Sequence, residues 1–73
     1  MKIFDFVESN EICLEADIVV EEVNDVTGEV TERWKSWSNE RLPYEVGKQD
    51  ICYMTIVNGY SERHNSPVLI IEY

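Results

Sequence analysis

Glu11-Ile12-Cys13-Leu14-Glu15-Ala16-Asp17-Ile18-Val19-Val20-Glu21-Glu22-Val23 is the stretch whose reading decides the fold. Its even positions Ile12, Leu14, Ala16, Ile18 and Val20 are all apolar. Its odd positions Glu11, Cys13, Glu15, Asp17, Val19, Glu21 and Val23 are largely acidic. Alternation of this length predicts a strand with one buried and one wet face. A helix is the competitor, capped by Ser9 or Asn10, with Ile12, Ala16, Val19, Val20 and Val23 on one face. It would strand Leu14 and Ile18 on the wrong face, and the β-branched content favours a strand.

Asp25-Val26-Thr27-Gly28-Glu29 follows and predicts a hairpin loop over Val26 to Gly28, with Gly28 in the left-handed region. The register that places Asp25 opposite Glu29 pairs Val20 with Trp34 on the apolar face. On the polar face it pairs Glu21 with Arg33 and Asp17 with Trp37, and it sets Lys35 beside Val19. A slip of one residue would turn Arg33 and Lys35 onto the apolar face, so the first register is preferred. Its cost is Glu22 opposite Glu32 on the apolar side, near the tip.

Further out, Lys2 to Glu8 reads as a short strand and Asn39 to Asp50 as a polar connection. Ile51 to Val57 is strongly β and runs into Asn58-Gly59, a hairpin signal. Pro67 allows a last strand from Val68 to Tyr73. The fold class expected is all-β, in one domain over residues 1–73: a five-stranded antiparallel sheet, curled or closed into a small barrel. The alternative is α+β, with one helix near residues 29–41 that carries Val30, Trp34 and Trp37 on one face.

Composition narrows the function. The chain has 73 residues and a formal net charge of −9, with 15 acids against 6 basic residues. That charge argues against direct binding of nucleic acid or an anionic membrane, and no apolar run approaches the length of a transmembrane helix. Two cysteines, Cys13 and Cys52, and no signal peptide point to the cytoplasm, the host cell cytoplasm if the chain is phage-encoded. Both thiols are expected half-buried in strands. His64 stands alone in a polar loop, so neither a metal site nor a catalytic set is legible. No enzyme activity and no cofactor are expected, and so small a core leaves little room for a ligand.

The charge is unevenly placed. Residues 1–32 hold ten acids (Asp5, Glu8, Glu11, Glu15, Asp17, Glu21, Glu22, Asp25, Glu29 and Glu32) against Lys2 alone. Residues 33–73 hold five acids and five basic residues. On a strand, Glu15, Asp17 and Glu21 share a face, with same-face neighbours about 6.8 Å apart, a spacing comparable to that of single-stranded nucleic-acid phosphates. Such a row can imitate phosphates to a basic groove. Trp37, on the opposite face from Trp34, is an exposed aromatic beside the acids and resembles a binding hot spot.

In type, though in no motif, the chain resembles phage-encoded inhibitors and immunity proteins. The expected function is an acidic protein-binding inhibitor module. It would block the basic nucleic-acid site of a nuclease, CRISPR effector, restriction enzyme or toxin by charge mimicry. The partner-binding residues would be Glu15, Asp17, Glu21, Glu22, Asp25 and Trp37, and the partner a basic nucleic-acid-binding protein. The alternative is a non-catalytic structural or assembly module, such as a virion accessory protein or a small oligomer joined through a strand edge. Its acids would only solubilise.

Overall fold

The computed structural model describes residues 1–13, 17–60 and 67–73. Helix α1 (Ile3–Cys13) is followed by strands β1 (Asp17–Val23) and β2 (Val30–Lys35). The short helix α2 (Tyr44–Gly47), β3 (Tyr53–Val57) and β4 (Val68–Glu72) complete the order. The strands form one open sheet in the order β2-β1-β4-β3. β1 pairs antiparallel with β2 and parallel with β4, and β3 pairs antiparallel with β4. Among the described residues the sheet is therefore mixed and four-stranded, neither antiparallel throughout nor closed.

Four local expectations are corrected. Lys2 to Glu8 is not a strand: Ile3 and Val7 are buried and Phe6 packs beside them, the three-and-four spacing of a helix face. Residues 29–41 hold β2 rather than a helix. The long strand expected from Glu11 begins only at Asp17, because α1 extends to Cys13. Neither cysteine lies in a strand: Cys13 ends α1, and Cys52, a free and exposed thiol, precedes β3.

The core lies between the sheet and the helices. Ile18, Val20, Trp34 and Ile71 project from the sheet to meet Ile3, Val7 and Val46. Burying each such side chain is worth about 1.5–3 kcal/mol. Gly47 lets the helices close, since a Cβ there would lie 2.4 Å from the Phe4 ring. Ile18, Val19 and Val20 are all buried although they alternate between faces, so the sheet is covered at Val19 on its outer side as well as on the helix side.

The hairpin preserves the expected pairing of Val20 with Trp34 by two compensating departures. Asn24 N–H donates to the Glu29 carbonyl, so the loop is Asp25 to Gly28, one residue longer than expected. Asn24 Oδ1 accepts from the N–H groups of Val26 and Thr27, and Gly28 has φ +75°. Thr31 and Glu32 then face Glu22 and Glu21, and Arg33 is an extra residue in a β-bulge before Trp34. The bulge restores the register, so Trp34 still faces Val20.

Candidate functional site

β1 divides its side chains between two faces. Ile18, Val20 and Glu22 belong to the helix side; Asp17, Val19 and Glu21 belong to the outer side. Glu21 pairs with Glu32 on β2 and with Glu72 on β4. Three glutamates thus stand in a row across three strands, about 4.8 Å from one strand to the next. Like charges set directly opposite one another destabilise a sheet. Partial burial raises the Glu21 pKa, and the Glu72 and Glu32 carboxylates raise it further.

Glu32 is the best compensated of the three. Lys35 Nζ lies 3.0 Å from its Oε1, and Tyr60 Oη donates to its Oε2 at 3.0 Å. Tyr60 follows β3, on the far edge of the sheet, and crosses to β2 to make that bond. Its phenol is pushed up to about 12, first by burial and then by Glu32 and Glu21. The Tyr60 ring meets Trp37 edge-on at 6.0 Å between centroids, and Lys35 Nζ lies 5.9 Å from the Trp37 ring. Trp37 remains 38% exposed. An aromatic pair therefore borders the acidic row.

Glu22, Asp25 and Glu29 form a second group at the hairpin end. The bulge brings Arg33 to Glu22, whose Oε1 accepts from Arg33 Nε at 2.8 Å and also from Nη2. This corrects the expected pairing of Glu21 with Arg33, and it removes the clash of Glu22 with Glu32, since Glu22 faces Thr31 instead. The Tyr73 phenol adds to the electrostatic surroundings of Arg33, whose pKa is raised chiefly by Glu22. Asp25 sits in the exposed loop, and a cleft of about 360 Å³ at this end is lined by Glu22, Asn24, Asp25, Glu29 and Arg33 among others.

The six expected site residues are therefore not one cluster. Asp17 and Glu21 share the outer face, and Trp37 adjoins it through Tyr60. Glu22 and Asp25 belong to the hairpin group, and Glu15 and His64 lie outside the described residues. The predicted row ran along one strand; the row observed runs across three and adds Glu32, Glu72 and Tyr60. Glu72 belongs to the charge-balanced half of the sequence and reaches the acids only through the parallel pairing of β1 with β4. Among the described residues, no three His, Cys, Asp or Glu side chains are arranged to hold a metal ion. No helix among them is long and apolar enough to cross a membrane. Comparison with protein-family models, curated proteins and solved structures finds no match.

Proposed function

We propose that the chain is an acidic binding module that docks its outer sheet face on the basic nucleic-acid site of a partner protein and blocks it. The observation that carries this reading is the Glu32–Glu21–Glu72 row. A sheet that only needed solubility could scatter its acids, whereas this one sets three across from each other at a cost to its own stability. A cationic groove would repay that cost by supplying counter-charge. Trp37 and Tyr60 at the border provide apolar anchors of the type that dominate protein interfaces. Action would be steric and electrostatic: charge steers the encounter, and the bound face then excludes nucleic acid.

The test uses the immobilised full chain and nucleic-acid-binding proteins of stated identity, such as a purified basic nuclease panel. Binding that is displaced by a short single-stranded oligonucleotide, and lost in an Asp17→Asn, Glu21→Gln, Glu72→Gln triple variant, supports the reading. Binding that neither oligonucleotide nor the triple variant affects would refute the mimicry.

A further inference from the structure

The two edges of the sheet differ in chemistry. β2 carries the devices that discourage strand addition: the bulge at Arg33 and the charged side chains of Glu32, Arg33 and Lys35. β3 carries none of them. From Ile51 to Tyr60 there is no charged residue and no proline. Tyr53, Met54 and Ile56 are 58%, 42% and 67% exposed, and among the described residues the backbone of β3 is paired only on its β4 side.

The free length of this edge is bounded at one end by the chain itself. Ile51 N–H donates to the Met1 carbonyl and Ile3 N–H to the Gln49 carbonyl, and Lys2 bridges to Asp50. The N-terminal segment thus occupies the strand's approach, and the open window is Tyr53 to Val57. At its other end Gly59, with φ +69°, turns the chain away.

We infer that the β3 edge pairs antiparallel with β3 of a second copy, making one continuous sheet across a two-fold axis. Matching two five-residue windows centres the pairing on Thr55. Met54 then faces Ile56 of the other copy twice, Tyr53 faces Val57 twice, and no charge meets a like charge. Alternate positions share a face, so the four Met54 and Ile56 side chains form one apolar patch. A basic strand would find no carboxylate on this edge, whereas a second copy offers an identical uncharged one. The acids carried on the strands of the other edge, Asp17, Glu21 and Glu22 on β1 and Glu32 on β2, lie on the far side of β4 from this edge. The edge is short against the roughly 800 Å² per partner of a standard interface, so the dimer is weak. This inference is independent of the acidic-face reading, and its salt dependence has the opposite sign: salt screens the mutual repulsion of two chains of charge −9.

Sedimentation equilibrium of the full chain, from about 10 μM to about 1 mM at low and high salt, tests it within the affinity range expected of small interfaces. The expected result is a monomer–dimer equilibrium that tightens with salt. Ile56→Lys should weaken it about tenfold or more by setting a charge against Met54, while Thr31→Lys on β2 leaves it unchanged. Amide exchange of Tyr53 to Val57 in the unmodified chain should slow as concentration rises, which does not depend on a variant folding. A monomer throughout the range, undiminished association of folded Ile56→Lys, or loss of the dimer in Thr31→Lys would overturn the inference.

Discussion

Glu21 has a carboxylate neighbour on each side, and its raised pKa fixes the sign of its contribution. The folded state holds the proton more tightly than the unfolded chain, so this stabilisation is present below the ordinary carboxylate pKa. It is lost as pH rises through the folded value. Glu21→Gln should therefore raise thermal stability at neutral pH, by about 0.5 kcal/mol for a partly exposed site; an unchanged or lowered melting temperature would contradict the opposed charges. Tyr60 follows the same rule at the other end of the scale. Its folded pKa of about 12 lies above the ordinary 10, so stability present below pH 10 should fall as pH rises towards 12. Tyr60→Phe should reduce that alkaline dependence, leaving the part contributed by the Tyr73 phenol, which burial also pushes up. It should cost about 0.5–1.5 kcal/mol through the bond to Glu32, as a denaturant titration would show. In a partner complex, Trp37→Ala should raise the dissociation rate, since an anchor acts mainly after encounter.

At the scale of elements, the two helices close only because position 47 is glycine. Gly47→Ala should destabilise by about 1–3 kcal/mol through overpacking against Phe4; a second change, Phe4→Leu, should recover part of that loss in chemical denaturation. The hairpin illustrates what was readable in the sequence. The Val20–Trp34 pair and the left-handed Gly28 followed from alternation and turn chemistry, which are local. The bulge at Arg33 was not readable, because its reward is a contact between Arg33 and Glu22, which a regular register never brings together. Ile3-Phe4-Asp5-Phe6-Val7 reads as a strand from the sequence because it is short and rich in the branched and aromatic residues that strands favour. Ile3, Phe6 and Val7 carried the helical signal, which only the facing Ile18, Val20 and Ile71 made decisive. The parallel pairing of β1 with β4, and with it the place of Glu72, depends on which strands meet across long stretches of chain. No local pattern encodes that choice.

The whole molecule carries its −9 charge on a small body, with Cα radius of gyration 11.9 Å. Acids crowd β1, β2 and the hairpin, and β3 is neutral, so the sheet has a charged side and an uncharged side. Two consequences separate by salt: contact with a basic protein weakens as salt rises, and contact between two copies strengthens. The acidic row is the central claim, and the most direct measurement of it is the association rate with a captured basic partner as a function of ionic strength. The unmodified chain should associate fast at low salt and slow steeply as salt is added. The Asp17→Asn, Glu21→Gln, Glu72→Gln variant should start about tenfold slower and show a shallower slope. Coincident curves for the two chains would contradict the claim and leave the acids as a solubilising surface.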